Sequence, residues 1–504
     1  MKSLFKSVAI LTIFSFIARI AGFLFRVYLS RTIGTEQLGL YQIVFSVFIV
    51  IVTIVTSGLP LTVSKLTATY TAENKKEKIH SMTSAALIIG GITSLIVCLI
   101  ILLFNKQLSF LFTDSRCMQI LIVLLPSAIF SSVYSVLRGV IWGNNKYLAV
   151  SFIELSEQIA RIIICMFALS FIFDITQGAL ATGGSLVLAT LLSMIAIIFL
   201  YFKTGYKLSS PKGYYKEVLK STIPITGVRI ASSLVQPLIA IVLPMRMVSA
   251  GFTNEYALSQ FGIAMGMTFP LLFIPTTLIG SLSLALIPDL ASAVAINNIK
   301  HISNRAKNAI IFSFFITSLC VPAFLALGKP ICELLYNNTQ AGIYLQNSAL
   351  LMIPFSLSNI TSSILNSLGL EVKNFKNYIV GAIFLLLSIW FLPKYIGVNS
   401  LIIGMGFCTT LPCILGIKKI MQTTNCEKGY LKPIILLLIL ILPSYILTKN
   451  IYAISISFLP SFIALCLAGI VSVVSYLILC EVFNVVKIKS LIAIRRKPKK
   501  CFEG

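Results

Sequence analysis

Apolar runs long enough to cross a bilayer recur from one end of the chain to the other, separated by short polar segments. A membrane-spanning helix needs about 20 mostly apolar residues, and the first run, Val8–Leu29, has that length. Backbone polar groups inside a bilayer must be bonded within their own segment, so such runs form helices. The pattern predicts an all-α integral membrane protein with 14 transmembrane helices.

Composition and charge support a membrane protein and exclude other classes. The chain is 58% hydrophobic and 11% charged, with a formal charge of +25. In a soluble protein that charge would suggest nucleic-acid binding, but in a membrane protein basic residues mark cytoplasmic loops and contact anionic lipid. We expect membrane lipids as partners and no nucleic acid. Metal-ligand spacings, phosphate-binding glycine loops and nucleophile elbows are absent from the sequence, which predicts no enzyme, metal or cofactor.

The distribution of lysine and arginine predicts the orientation of the chain. If the N-terminus is cytoplasmic, the inner segments receive 29 of the 40 basic residues and the outer loops receive seven. Every inner segment then outnumbers the outer loops beside it, as the positive-inside rule requires. We expect a multi-pass protein of the cytoplasmic membrane with both termini in the cytoplasm. Four arginines remain in mid-helix, namely Arg19, Arg26, Arg161 and Arg229.

A short internal repeat predicts two lobes. Ala18–Gly22 in the first helix resembles Val228–Ser232 in the seventh, and Leu59–Ser64 resembles Ile287–Ser292. Such repeats are typical of secondary transporters, with the substrate site between them. We expect two pseudo-symmetric six-helix lobes plus helices 13 and 14. The predicted bounds are 1–203 for the N-lobe, 204–220 for a cytoplasmic linker, 221–428 for the C-lobe, 429–486 for helices 13 and 14, and 487–504 for a basic cytoplasmic tail.

Arg19 and Arg26 are the first candidates for substrate binding. They lie seven residues apart, so they share one helix face about 10 Å apart along the axis. A charge at bilayer depth costs at least about 2.5–3.5 kcal/mol, which water, a partner or a ligand must offset. The forked guanidinium binds phosphate through charge-assisted hydrogen bonds, so the pair predicts an anionic substrate. The alternatives are an ion pair with a neighbouring helix or, for Arg26, a side chain that extends to the surface.

Helix 5 carries a second polar face. Four side chains follow helical spacing there, namely Glu154, Glu157, Gln158 and Arg161. Glu157 and Arg161 can pair directly, which leaves Glu154 for an arginine elsewhere, a proton or a cation. The cluster is either a structural clamp between helices or a coupling site. If the repeat holds, Arg229 faces the cavity from the C-lobe; otherwise it pairs with Glu154 or Glu157.

Asn359 and Asn366 lie seven residues apart in helix 10. The spacing places both amides on one face of the helix. They are candidates for a polar wall of the substrate cavity, and packing contacts between helices explain them equally well.

Candidate hinges interrupt helices 2 and 8. Gly58 and Pro60 lie in helix 2, and Pro270 and Pro275 lie in helix 8. Proline removes a backbone hydrogen bond and bends a helix. Bends in equivalent helices of two lobes would suit a rocking transporter, although prolines are also common in membrane helices for other reasons.

Two segments resemble a known family. Arg19 and Arg26, followed by Arg31–Tyr41, resemble the opening of polysaccharide-export flippases. Met267–Thr276, with Leu286–Pro288 beyond it, resembles helix 8 of the stage V sporulation protein B family. That family is related to MurJ, the lipid II flippase, within the multidrug/oligosaccharidyl-lipid/polysaccharide exporter superfamily. The resemblance extends over essentially the whole chain through the helix count and the two-lobe repeat.

The resemblance implies a function and a site. It implies a flippase that translocates an anionic lipid-linked oligosaccharide, with lipid II as the first choice, by alternating access during spore cortex synthesis. The alternatives are a cation-coupled multidrug exporter, a flippase for a different glycan and a non-transporting scaffold. It also implies that helices 13 and 14 line a groove for the lipid tail, with peptidoglycan synthases as candidate partners and the forespore membrane as a candidate location.

One position departs from the related flippase. The cavity arginines of helix 1 in MurJ match Arg19 and Arg26, with one extra residue between them in this chain. MurJ also has an arginine in helix 8, and the equivalent residue is Met265. The three-arginine site of MurJ is therefore incomplete in this chain, which lacks the helix 8 arginine. Arg229 is the candidate to replace it.

Overall fold

The structure is a computed structural model in which every regular element of the described residues is helical. No strand occurs in that part of the chain, so the predicted all-α fold is confirmed. The predicted basic tail, 487–504, lies outside the described residues. The described ranges are 2–56, 58–171, 177–296, 298–424 and 431–483.

The helices follow one another closely along the chain. In chain order they are α1 (Lys2–Thr32), α2 (Gly34–Thr56), α3 (Leu59–Ala72), α4 (Lys76–Leu103), α5 (Asn105–Ser109), α6 (Arg116–Gly143), α7 (Tyr147–Phe171), α8 (Gly178–Lys203), α9 (Tyr215–Ser233), α10 (Val235–Ser249), α11 (Asn254–Gly262), α12 (Phe269–Leu272), α13 (Thr276–Ala295), α14 (Ile299–Tyr336), α15 (Thr339–Ser348), α16 (Met352–Ser367), α17 (Glu371–Phe391), α18 (Pro393–Ile396), α19 (Asn399–Thr424), α20 (Leu431–Ser455) and α21 (Ser461–Val482).

Eleven stretches of the described residues are long and apolar enough to cross a membrane. Some join two consecutive helices, as Gly34–Ala72 joins α2 and α3. Three predicted spans fall outside this set although they are helical: α1, α7 and the segmented run from α11 to α13. In α7 the reason is its charge, because Glu154, Glu157 and Arg161 fall within 25 residues. The protein is a multi-pass membrane protein, and the count of 14 stays a prediction.

Helix contacts divide the chain into two compact units. The first contains residues 1–267 and 393–398, and the second contains 268–392 and 399–504. The predicted linker at 204–220 lies inside the first unit. The division into six-helix lobes at that linker therefore stays a prediction.

The first unit is organised around α6, which contacts α2, α3, α4, α7 and α8. Val136, Val140 and Ile141 of α6 are fully buried in its apolar core. Two glycines bring α3 and α6 close together: a Cβ at Gly139 would overlap the Pro60 backbone, and one at Gly143 would overlap α3 as well. Small residues at such contacts let helix backbones approach closely.

The predicted break in helix 2 is present between α2 and α3. Helix α2 ends at Thr56, and Pro60 lies in the first turn of α3, where its missing N–H costs nothing. Gly58 lies against α9, and a Cβ there would overlap the Thr222 carbonyl oxygen and the Thr226 hydroxyl. The break thus lets α9 pack closely on this segment.

The predicted break in helix 8 is present, and it begins before the two prolines. After α11 comes a π-helical turn, Ile263–Thr268, which contains Met265. Pro270 then lies in the first turn of α12, and Pro275 caps α13. π-helical turns are rare and occur frequently at functional sites. The hinge role of these prolines and of those in helix 2 stays a prediction.

Gly39 of α2 and Gly262 of α11 lie in close contact. A Cβ at Gly39 would overlap the Leu258 carbonyl oxygen, and the Thr35 and Ser259 hydroxyls lie 2.7 Å apart beside it. We expect Gly39→Ala to lower the free energy of unfolding by about 1–3 kcal/mol, because overpacking forces the backbones apart. Thermal unfolding in detergent measures this loss.

Gly91→Ala provides the matched control. Gly91 lies inside α4, and a Cβ added there would have no neighbouring atom within 4 Å outside its own helix backbone. Alanine there should be neutral or stabilising, because it raises helix propensity without a clash. Equal unfolding temperatures for the two variants would contradict the tight α2–α11 contact.

Three helix starts of the first unit meet at an ionic cluster that we call the Arg116 cluster: Arg116, Asp114, Glu36 and Asn254. The Arg116 guanidinium donates to Asp114 Oδ2 at 2.7 Å and also pairs with Glu36 at the start of α2. Asn254 at the start of α11 donates to Asp114 at 3.1 Å. Asp114 is only 8% exposed, so the cluster holds α2, α6 and α11 together through a nearly buried carboxylate.

The Arg116 cluster predicts acid sensitivity. Burial alone would raise the pKa of the Asp114 carboxyl, but hydrogen bonds from Arg116 and Asn254 outweigh burial and hold that pKa below its usual range. A carboxyl with a lowered folded pKa stabilises the fold above its unfolded pKa of about 3.9, and this contribution is lost as the pH falls further. Unfolding temperatures measured from pH 7 to pH 3 should fall at the acid end, and less steeply in Asp114→Asn. Parallel profiles for the two proteins would contradict this role of Asp114.

The second unit is built around α14, the longest helix, at 38 residues. It contacts α13, α15, α16, α20 and α21. The Tyr476 hydroxyl of α21 donates to the Leu437 carbonyl of α20 at 2.9 Å and lies 2.7 Å from the Ser318 hydroxyl of α14. A buried polar network thereby attaches α20 and α21 to the long helix.

Candidate functional site

The first unit contains a polar cavity of about 460 Å³. Five helices form its wall, namely α1, α2, α6, α7 and α8. Its lining residues carry hydroxyl, amide, carboxylate and guanidinium groups. Such polar and charged side chains are rare in apolar membrane helices. The lining residues are Phe14, Ala18, Arg19, Val52, Thr56, Ser131, Tyr134, Ser135, Arg138, Ser151, Glu154, Leu155, Glu157, Gln158, Thr190 and Ser193.

Arg19 lines this cavity from α1, as an exposed side chain. None of the four ion pairs found among the described residues involves Arg19. Arg26, two turns further along α1, is half-buried, is engaged in other interactions and does not line the cavity. The structure therefore brings one of the two predicted helix 1 arginines to the cavity.

Arg138 was missed as a site residue, since its position near the end of α6 resembles that of a loop charge. It lines the cavity, and its Nη2 pairs with Glu154 Oε1 at 2.8 Å. The guanidinium also lies over the Trp142 ring, 3.9 Å from the centroid. One signal in the sequence could have found it: Tyr134, Arg138 and Trp142 recur every four residues on one helix face.

The polar face of α7 is divided between two tasks. Glu154, Glu157 and Gln158 line the cavity, whereas Arg161 donates to Gln158 Oε1 at 2.7 Å and lies 5.2 Å from the Phe25 ring centroid. In the described part of the chain no ion pair joins Arg161 to Glu157, although the sequence allows that pair. Glu154, which the sequence leaves available for an arginine elsewhere, has Arg138 as its partner.

The remaining predicted site residues lie elsewhere. Arg229 is exposed on α9 and does not line this cavity. Asn359 and Asn366 belong to the second unit and are both exposed on α16. Asn366 accepts a hydrogen bond from Asn374 at 3.0 Å. These three residues therefore stay predictions for substrate contact.

The charges around the cavity balance formally. Two arginines, Arg19 and Arg138, face two carboxylates, Glu154 and Glu157. Because Glu154 is already paired, the cavity combines a neutralised arginine with an unpaired one. Within the described ranges no group of three or more His, Cys, Asp or Glu residues could hold a metal ion. The arrangement is suited to non-covalent binding of a polar, charged group.

Comparison with known families decides the class of the chain. The family model described as polysaccharide biosynthesis protein matches residues 4–294, more than half of the 504 residues. The chain belongs to this family. The matched region of this polysaccharide biosynthesis protein includes all five helices that line the cavity.

Two curated relatives from Bacillus subtilis (strain 168) are similar along most of their length. Stage V sporulation protein B is 24% identical over 392 residues, which is 75% of this chain and 75% of that protein. Lipid II flippase MurJ is 21% identical over 414 residues, again 75% of each. A solved structure of lipid II flippase MurJ in an inward closed conformation matches with a TM-score of 0.70 at 18% identity, over 96% of this chain and 99% of that one. The structural match shows that this polysaccharide biosynthesis protein has the MurJ-like fold.

Proposed function

We propose that this polysaccharide biosynthesis protein is a flippase that moves a lipid-linked oligosaccharide across the cytoplasmic membrane by alternating access. The proposed substrate is lipid II, for spore cortex peptidoglycan. The observation that carries the proposal is Arg19, a cation within the first predicted span that lines a polar cavity. The names of two relatives, a lipid II flippase and a sporulation protein, support the choice of substrate and process.

In this proposal the arginines receive the pyrophosphate. A forked guanidinium can bind two phosphate oxygens at once. Arg19 lines the cavity, and Arg26, two turns further along α1, stays a candidate that would have to leave its present contacts. Arg229 is the third candidate. Asn359 and Asn366 would contact the sugars, because exposed amides donate and accept hydrogen bonds.

The prenyl tail would stay in lipid beside α20 and α21. Both helices present exposed apolar side chains, among them Leu442 and Ile470. An acyl or prenyl chain gains about 0.8 kcal/mol for each CH₂ group that it keeps out of water. The headgroup can therefore cross through the protein while the tail remains in the membrane.

The helix breaks at Gly58 and Pro60 and at Pro270 and Pro275 would serve as hinges between inward-open and outward-open states. Only a difference in substrate affinity between the two states can move this cycle. With both termini in the cytoplasm, an inside-negative potential favours outward movement of an anion by about 2.3 kcal/mol per charge at 100 mV. The proposed location is the forespore membrane, and the proposed partners are the peptidoglycan synthases that consume lipid II.

A deletion strain tests the function in the cell. We expect the lipid-linked precursor to accumulate and the spore cortex to be thin or absent. If the wild-type gene restores the cortex and a gene that encodes Arg19→Ala does not, the defect is due to loss of the cavity arginine. Normal cortex and normal precursor levels in the deletion strain would contradict the proposal.

The competing function is a cation-coupled multidrug exporter, which would need free carboxylates in the cavity. Glu157 is the residue that favours it, since it lines the cavity without belonging to an ion pair of the described residues. Drug resistance on overexpression that is abolished by Glu157→Gln would support the exporter. We expect no such resistance, because Arg19 and Arg138 offset both carboxylates and leave the cavity without the net negative charge that would attract a cationic drug.

A further inference from the structure

We infer that Arg138 is a second arginine ligand for the pyrophosphate and that Glu154 occupies it until the substrate binds. The inference rests on the proposed flippase function and adds a residue to its site. Arg138 lies on α6, on a different helix from Arg19, and both line the same cavity. Two arginines on separate helices can supply charge-assisted donors to both phosphate groups of a pyrophosphate.

The first support is the incomplete hydrogen bonding of Arg138. Its Nη2 donates to Glu154, whereas its buried Nε has no hydrogen-bond partner among the described residues. A guanidinium has five N–H donors, and a buried donor without an acceptor destabilises the protein. A phosphate oxygen that accepts from Nε would remove this destabilisation.

The second support is Tyr134, one turn before Arg138 on the same face. Its residue lines the cavity and is 9% exposed, yet within the described part of the chain its hydroxyl has no hydrogen-bond partner. Buried tyrosine hydroxyls in proteins usually find a hydrogen-bond partner. The Tyr134 hydroxyl and the Arg138 Nε–H, one turn apart, are complementary to one ligand rich in acceptor oxygens.

The third support is the orientation of the guanidinium. Trp142 packs against its face 3.9 Å away, and this contact requires no carboxylate. Loss of Glu154 therefore leaves Arg138 held in place by the ring, with its N–H edge free. The Glu154 side chain is 38% exposed, so it remains solvated when the phosphate replaces it. Replacement of Glu154 by phosphate at Arg138 therefore leaves no unpaired carboxylate buried in an apolar environment.

Substrate binding is thus a competition between two anions for one cation. A pyrophosphate carries more charge than a carboxylate and can bridge Arg19 and Arg138, so it displaces Glu154. Glu154 in turn excludes weaker anions from Arg138. This makes the ion pair a determinant of specificity for pyrophosphate over monovalent anions.

Fluorescence of Trp142 reports this exchange. The chain has two tryptophans, Trp142 and Trp390, so Trp390→Phe leaves one reporter next to Arg138. Titration of that protein in detergent with undecaprenyl pyrophosphate should give a saturable change in emission, and titration with undecaprenol should give none. Saturable binding by an independent method without any change in Trp142 emission would overturn the inference.

Affinity measurements separate ligand binding from a structural role. We expect Arg138→Gln to weaken undecaprenyl pyrophosphate binding at least tenfold, Arg138→Lys to weaken it less, and Glu154→Gln to strengthen it several-fold. The double variant Arg138→Gln/Glu154→Gln keeps a neutral hydrogen-bonded pair. It should bind as weakly as Arg138→Gln, whereas wild-type affinity in the double variant would show that the pair is only structural.

The same titrations distinguish the two levels of the proposal. If the wild-type protein fails to bind undecaprenyl pyrophosphate, the flippase proposal fails and this inference fails with it. If the wild-type protein binds and Arg138→Gln binds equally well with an unchanged unfolding temperature, only the assignment of Arg138 fails. Tighter binding by Glu154→Gln, with weaker binding by both Arg138 variants, supports the exchange.

Discussion

Replacement of Arg19 by alanine is expected to abolish lipid II translocation while the protein still inserts into the membrane. Arg19 lines the cavity of the first unit and takes part in none of the ion pairs found among the described residues. A bidentate contact with pyrophosphate loses two charged hydrogen bonds of about 1.5–3 kcal/mol each, which corresponds to a loss of roughly 100-fold or more. Insertion should become easier, because a charge at bilayer depth is costly.

Matched variants define what Arg19 contributes. Arg19→Lys keeps the charge but loses the fork, so we expect an intermediate rate. Lys146→Ala removes an exposed charge at the cytoplasmic end proposed for α6 and should leave the rate unchanged. Translocation is measured in proteoliposomes with equal amounts of each protein. A wild-type rate for Arg19→Ala would remove Arg19 from the site.

Arg116→Met is expected to lower the stability of the protein by about 2–3 kcal/mol. Arg116 supplies the positive charge for two carboxylates, Asp114 and Glu36, and Asp114 is nearly buried. Removing one partner of a buried pair leaves an uncompensated charge, which costs about 3–5 kcal/mol when burial is complete and less when one partner is exposed. Because the Arg116 side chain is 34% exposed, we expect a loss of stability below the range for a fully buried pair. The unfolding temperature in detergent measures the effect.

Lys75→Met provides the comparison for Arg116→Met. Lys75 pairs with Glu73 at 2.7 Å, close to the Arg116–Asp114 distance, but both side chains are 41–50% exposed. Exposed ion pairs contribute about 0–1 kcal/mol, because water screens them. We expect little change for Lys75→Met. Equal losses in the two variants would show that burial does not decide the strength of the Arg116 cluster.

Much of the fold follows from local physics in the sequence. Apolar runs require helices in a bilayer. Prolines such as Pro126 and Pro322 lie inside continuous helices, but a proline in a first turn marks the start of a helix, because its missing N–H costs nothing there. The breaks near Pro60 and Pro270 therefore occur where the sequence places them. The π-helical turn at Ile263–Thr268 has no such local signature, since none of its residues is a proline. The turn packs against α2, where a Cβ at Gly266 would overlap the Leu38 side chain, and a single sequence does not contain that contact.

The candidate site was only partly predictable. Helical spacing correctly grouped Glu154, Glu157 and Gln158, because residues three and four apart share a face. The partner of Glu154 depends on which helix packs beside α7, and a single sequence does not contain that information. Arg138 counts among the cytoplasmic basic residues when the charges are divided between the two sides of the membrane, so charge distribution alone does not identify it as a cavity residue. The spacing of Tyr134 and Trp142, four residues to either side, is the feature of the sequence that indicates a polar helix face at Arg138.

The central claim is that an arginine-lined cavity in this polysaccharide biosynthesis protein translocates a pyrophosphate-linked glycolipid. The most direct measurement is the transfer of labelled lipid II between leaflets of proteoliposomes that contain the purified wild-type protein. We predict transfer well above that of protein-free vesicles and competition by undecaprenyl pyrophosphate. Transfer equal to that of protein-free vesicles, by a protein that is folded and correctly inserted, would contradict the claim.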